Sequence, residues 1–249
     1  METHITSIIV FILIIIFAII HSGGAALRSK AELIMGARLW RLCFVSFSLP
    51  SALILICYFL AHRYDGIRLW NFQGNSFVFF VVWILTAISF IFLYPATYNL
   101  LEIPSLLKPK VRIYSTGIMR ITRHPQAIGQ IIWCIAHSLW IGTTFTLITS
   151  FGLICHHLFA IWHGDKRLEY KFGEEFQRFK ENTSVVPFLA ILEGRQKLKL
   201  KEFLRFSQLG ILIAIFVIWS SHKYINIAVT TFNSSFLSEF FDWQSKISL

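Results

Sequence analysis

Long apolar runs separated by short basic loops dominate this chain. A helix needs roughly 20 mainly apolar residues to cross the hydrocarbon core of a bilayer. Six stretches meet or approach that length: 5–21, 42–61, 76–94, 127–141, 143–162 and 206–221. The fourth and fifth are separated only by Gly142, which predicts an antiparallel hairpin. Pro50 falls inside the second, where neighbouring helices of a bundle satisfy the carbonyl it leaves free. Two further stretches read as interfacial. Residues 100–119 are helical in composition but broken by Pro104, Pro109 and Gly117, and residues 166–180 mix both signs of charge with Tyr and Phe. The expected fold is all-α: a polytopic transmembrane bundle of about six helices plus interfacial helices, as a single domain over 1–249. The tail, 222–249, shows no clear pattern.

Charge sharpens this picture. The chain carries 23 Lys and Arg against 13 Asp and Glu, for a net charge of +10. Nineteen of those 23 cations fall in the loops after the first, third and fifth segments, and four in the alternate loops and the C-terminal tail. Such alternation is the positive-inside pattern, and it puts the N-terminus outside or in a lumen. Hydrophobic residues make up 55% and charged residues 14%, where soluble domains carry about 25% charged. The basic charge therefore orients the chain against membrane lipid, and nucleic acid is not an expected partner. The first apolar run lacks a basic leader before it, so it reads as a retained helix of a bacterial membrane protein or a mature organellar form.

The candidate chemistry is histidine. Six of nine, His21, His124, His137, His156, His157 and His163, lie within or at the inner ends of segments one, four and five. Ionisable groups in a membrane pair with something or serve a function. A hydrogen bond to a neighbouring helix accounts for any one of them as well as ligation does. Those three segments contain no Asp or Glu, so a carboxylate-rich di-iron centre lacks ligands. Imidazole among aromatic and aliphatic groups suits heme iron. Trp133, His137 and Trp140 share one helical stripe, and Cys134 lies a turn before His137. Plain packing also produces such a stripe. Arg28, Arg120 and Arg123 fall near the inner surface, where they serve either as orientation charges or as partners for heme propionates. The four cysteines, Cys43, Cys57, Cys134 and Cys155, lie in apolar runs with no CxxC pair, as buried thiols do.

Three motifs occur in order: Arg123-His124-Pro125-Gln126, then WCIAHSLWIGT from Trp133, then HHLFAIWHGD from His156. Residues 117–176 around them resemble the NnrU-domain membrane protein family, in its carotenoid-isomerising branch. His21-Ser22-Gly23 and His62 extend the likeness. The resemblance implies an integral-membrane enzyme with heme b, active in the ferrous form. It implies conversion of the 15-cis bond of 9,15,9′-tri-cis-zeta-carotene to trans, giving the 9,9′-di-cis isomer. His21 and His137 match the family's metal-ligating, catalytic histidines, and Cys134 matches its alternative thiolate ligand. Also implied are membrane lipid, zeta-carotene, carotenoid desaturases and an electron donor as partners, and a cyanobacterial-type plasma or thylakoid membrane as location.

Two other readings stay open. Arg-His-Pro followed by Leu168, Phe172-Gly173, Glu175 and Phe176 also resembles membrane methyltransferases that use S-adenosylmethionine. Ala127 and Gly164-Asp165 depart from that pattern. A non-catalytic heme or nitrogen-oxide-related NnrU protein would equally keep His21 and His137.

Overall fold

A computed structural model describes residues 2–101, 113, 115–203, 212–213, 216–222, 224, 227–228 and 231. The helices are α1 (Glu2–Ala18), α2 (Gly24–Met35), α3 (Ala37–His62), α4 (Ser76–Leu101), α5 (Pro125–Ile141), α6 (Thr144–Phe172), α7 (Glu174–Glu181) and α8 (Leu189–Leu192). A π-helical turn, Ile19–Gly23, joins α1 to α2. No strand occurs among the described residues; one isolated bridge pairs Arg68 with Thr143.

Four helices among the described residues are long and apolar enough to cross a bilayer: Ile5–Met35, Ala37–His62, Ser76–Leu93 and Thr144–Phe172. The expectation of about six is thus met by four. The fourth expected span is α5, whose 17 residues give about 25 Å at 1.5 Å per residue. That is less than the roughly 30 Å of a hydrocarbon core. Half of the expected span 206–221 falls outside the described residues, as does most of 100–119. Two boundaries also moved. The first apolar segment continues through the π turn into α2, and the fifth runs ten residues past Trp162, to Phe172, before Gly173 breaks it at φ 52°. The expected interfacial helix is therefore split: its first half finishes α6, and its second is α7, anchored by the fully buried Phe176.

Outward side chains explain why these helices belong in lipid. On α1, Ile8, Phe11, Ile12, Ile15 and Ile16 are exposed while Val10 and Ile14 are buried. An apolar face of this extent is stable only where hydrocarbon covers it. The inner faces use small residues and hydroxyls. Ser89 Oγ on α4 donates to Gly129 O on α5 at 2.8 Å. A Cβ on Gly129 would meet Ser89 O and Leu93 N at 2.8 Å, so only glycine permits this approach. Ser138 on α5 and Ser150 on α6 share a hydrogen bond of 2.8 Å, which fixes the hairpin register. Between α1, α3, α5 and α6 lies the apolar core: Val10, Ile14, Leu55, Phe59, Cys134, Phe145 and Leu153.

The predicted hairpin is present. Gly142 caps α5 in the left-handed region (φ 69°, ψ 27°), and Thr143 caps α6, its Oγ1 accepting from Thr146 N. The strap from Arg63 to Trp70 folds over this turn: Leu69 N donates to Gly142 O at 2.7 Å, and Trp70 Nε1 to Leu139 O at 3.0 Å. At the opposite, basic end, Arg123 and His124 clasp Asp165, tying the start of α5 to the end of α6.

Candidate functional site

His137 stands one turn before the end of α5. Its Nδ1 is 2.9 Å from Trp133 O, the carbonyl one turn back. A carbonyl only accepts, so Nδ1 carries the proton and Nε2 keeps its lone pair. The Trp133 ring stacks on the imidazole at 3.8 Å and holds it in orientation. Beyond it opens a cavity of about 220 Å³ between α3, α4, α5 and residue 222. Phe59, Phe79, Trp83 and Trp140 supply aromatic walls; Arg63 and the half-exposed Tyr64 supply polar ones. His222 lines the same cavity with its ring centre 6.0 Å from that of His137.

His21 sits elsewhere. It occupies the π turn, a distortion that recurs at functional sites. Its Nδ1 shares a hydrogen bond with Ser48 Oγ of α3 at 2.7 Å. Its ring neighbours are Phe17, Phe44 and His156, the last at 6.4 Å between centres, and His157 adjoins His156 at 5.2 Å. None of these neighbours touches His137, whose ring contacts are Trp133, Phe59 and His222. With Ser138 opposite Ser150, the His156 level lies about 8 Å nearer the basic end than His137. The described structure therefore brings His21 to His156, and His137 to His222; it does not bring His21 and His137 together.

The remaining sequence candidates are placed as follows. Cys134 is fully buried in the apolar core, 3.8 Å from Gln130 Nε2, and does not line the cavity. Arg28 pairs with Glu32 at 2.6 Å on α2. Arg123 directs Nε and Nη2 at Asp165 Oδ2, at 3.0 and 2.9 Å, while His124 Nε2 donates to the other carboxylate oxygen at 2.7 Å. Arg28 and Arg123, two of the three arginines offered as propionate partners, thus hold carboxylates of this chain. Arg120 likewise grips Glu202, with Nε and Nη2 at 2.8 Å. His62 bonds Asp65 at 2.9 Å and packs on Tyr58.

Sequence reasoning passed over His222 and Trp219. His222 lies one residue past the sixth apolar segment, and that position was the available signal. Trp219 packs edge-on against Trp83 at 4.5 Å, and its buried Nε1 has no hydrogen-bond partner among the described residues.

Does this donor set suit a heme? His137 fits, as an imidazole with one nitrogen anchored and the other facing an aromatic cavity, which is how a ligating histidine is held. His21 has the same kind of anchoring, on Ser48 Oγ. Among the described residues, no three His, Cys, Asp or Glu side chains gather into a metal-holding group.

An apolar helical bundle with paired imidazoles inside it defines a membrane-embedded protein with an interior histidine site. The chain belongs to the NnrU protein family, which it matches over residues 9–229. It is similar to the "15-cis-zeta-carotene isomerase, chloroplastic" of Arabidopsis thaliana, with 53% identity over 202 residues. With the protein of the same name from Zea mays it shares 51% identity over 207 residues. The matches cover 80% and 82% of this chain, which spans only 55% and 57% of those relatives' lengths. No solved structure matches it.

Proposed function

We propose that the chain is a membrane cis–trans isomerase acting on the 15-cis double bond of 9,15,9′-tri-cis-zeta-carotene, with 9,9′-di-cis-zeta-carotene as product and heme b as cofactor. The observation that carries this reading is identity of 51–53% across four fifths of the chain with two proteins of that name. The reaction changes no atom count and no net oxidation state. It needs only a temporary fall in the order of one double bond in a long hydrocarbon. Bound heme b, in its ferrous form, supplies a metal centre able to lower that bond order.

The chain's own residues do the placing. His137 would hold the cofactor through Nε2 while Trp133 O retains the Nδ1 proton, and His21 would be the second ligand that the family resemblance implies. Phe59, Phe79, Trp83 and Trp140 give the cavity walls that suit a polyene and keep water from it. Lipid-facing helices let a hydrocarbon arrive from the bilayer without crossing water. Arg28 and Arg123 remain proposed partners for cofactor carboxylates, on release from Glu32 and Asp165, and Cys134 remains a proposed alternative ligand. An electron donor keeps the cofactor reduced, and carotenoid desaturases make the substrate and consume the product. The basic loops face the cytoplasm or its equivalent, with the N-terminus outside or lumenal, in a plasma or thylakoid membrane.

Expression in cells that accumulate the tri-cis isomer tests this directly. Chromatographic isomer ratios should shift to the 9,9′-di-cis form, and the purified chain should show heme absorbance. His137→Ala should lose both. An unchanged ratio despite bound heme would refute catalysis and favour the non-catalytic heme reading; absence of heme would refute the cofactor.

A further inference from the structure

We propose that Ser48 is the positioning residue of His21: its hydroxyl accepts the Nδ1 proton and leaves Nε2 as the nitrogen able to ligate. The consequence for ligation rests on the function proposed above; the geometry is the chain's own. Ser48 Oγ on α3 stands 2.7 Å from His21 Nδ1 in the π turn. Ser48 is buried, so bulk water competes little for that hydroxyl. Two rings complete a three-sided holder. Phe17, one turn before His21, stacks on the imidazole with ring centres 5.2 Å apart and planes at 19°. Phe44 packs on it at 5.5 Å. Phe44 and Ser48 lie one turn apart on α3 and share a face. Gly24 lets that face approach, since a Cβ there would meet the Phe44 ring at 3.0 Å. The rings limit the tilt of the imidazole, and the hydroxyl sets which nitrogen turns toward α3.

The chemistry of this anchor matters as much as its position. None of the six apolar segments contains Asp or Glu. The acceptor is thus a neutral hydroxyl, where many ligating histidines meet a carboxylate. A carboxylate draws the Nδ1 proton strongly and makes the imidazole more basic, which favours a ferric ion. A hydroxyl draws it weakly and leaves a neutral imidazole, which suits a ferrous one. His137 has an equally neutral acceptor in Trp133 O. A helical serine also has the carbonyl one turn back within reach of its own hydrogen, so Oγ is free to accept.

Solid-state nitrogen NMR of the full chain, ring-labelled at histidine and reconstituted in phosphatidylcholine vesicles without cofactor, tests the hydrogen bond itself. His21→Gln and His137→Gln identify the two residues' signals by their absence. His21 should show one tautomer, with the proton on Nδ1. Ser48→Ala should turn it into a mixture or into the Nε2–H form. Ser48→Thr, which keeps the hydroxyl, should restore the single tautomer. His137 should hold its Nδ1 proton in all three chains, because its acceptor is a backbone carbonyl. A proton on Nε2 of His21 in the unsubstituted chain, or an unchanged tautomer in Ser48→Ala, overturns the proposal. Disturbance of both histidines by Ser48→Ala would mark a general loosening of the bundle and overturn it too. Should that variant fail to fold, the tautomer of the unsubstituted chain decides the matter. Hemin titration, followed by visible absorption, carries the test to ligation. Ser48→Ala should weaken hemin binding by roughly 10–100-fold and raise the midpoint potential, and Ser48→Thr should recover both. Equal affinity and potential in all three chains would overturn the part given to Ser48 in ligation. An unsubstituted chain that binds no hemin, with the tautomers as expected, would refute the cofactor of the proposed function and leave the hydrogen-bond assignment standing.

Discussion

Replacing Gly142 by alanine tests the joint that fixes the level of His137. Gly142 links α5 to α6 at φ 69°, and an added Cβ would lie 2.4 Å from Trp70 O and 2.8 Å from Trp70 Cδ1. Two costs follow. A left-handed backbone costs an L-residue about 1–2 kcal/mol, and overpacking against a neighbour that cannot yield costs about 1–3 kcal/mol. The obstacle here is a backbone carbonyl on a strap already bound to Gly142 O through Leu69 N, so relief means lifting the strap. The sum is about 2–5 kcal/mol. At about 2–4 °C per kcal/mol for a chain of this size, Tm should fall by roughly 10 °C. Gly194 supplies the comparison: its φ is 75°, yet nothing lies within 4 Å of where an added Cβ would stand. Gly194→Ala should therefore cost only the backbone part, about 1–2 kcal/mol. Thermal unfolding of both variants in detergent, read by tryptophan fluorescence, measures the difference. Equal losses would refute the argument that the strap contact, rather than the dihedral alone, makes Gly142 necessary.

Two further perturbations address the basic end. Asp165→Ala leaves Arg123 and His124 without their shared carboxylate, all three side chains being only 13–16% exposed. Removing one partner of a buried ionic group costs about 3–5 kcal/mol; partial exposure puts this one near the lower figure, and an unchanged Tm would show that the clasp adds nothing. Arg120's hydrogen bond holds the Glu202 carboxyl well below its ordinary 4.5, at about 2. A carboxyl depressed on folding contributes stability that is complete above pH 4.5 and lost as pH falls toward 2. Glu202→Gln should flatten Tm against pH in that window, and an identical slope in both proteins would refute the assignment.

The pattern of apolar runs was enough to determine an all-helical membrane chain, because each span must satisfy its own backbone hydrogen bonds and be apolar for about 20 residues. Gly142 was legible as a hairpin turn for the same local reason: no stretch of helix fits between the two segments it separates. Boundaries were less legible. Nothing local stops the first helix before Met35, since a helix continues through polar residues once it has left the hydrocarbon. The shortness of α5 was already legible in segment 127–141, to which the helix adds only Pro125 and Gln126. Histidine 137 was legible as a candidate from its aromatic stripe and the family motif around it. Its neighbour was not. Residues 137 and 222 are 85 positions apart, and no periodicity relates them; only the packing of α4 beside α5, through Ser89 and Gly129, sets the wall that the 216–222 stretch closes. The fates of Arg28 and Arg123 were hidden likewise. A sequence shows that a cation lies near the inner surface, whereas the carboxylate that claims it is chosen by helix rotation and register, which the tertiary structure alone decides.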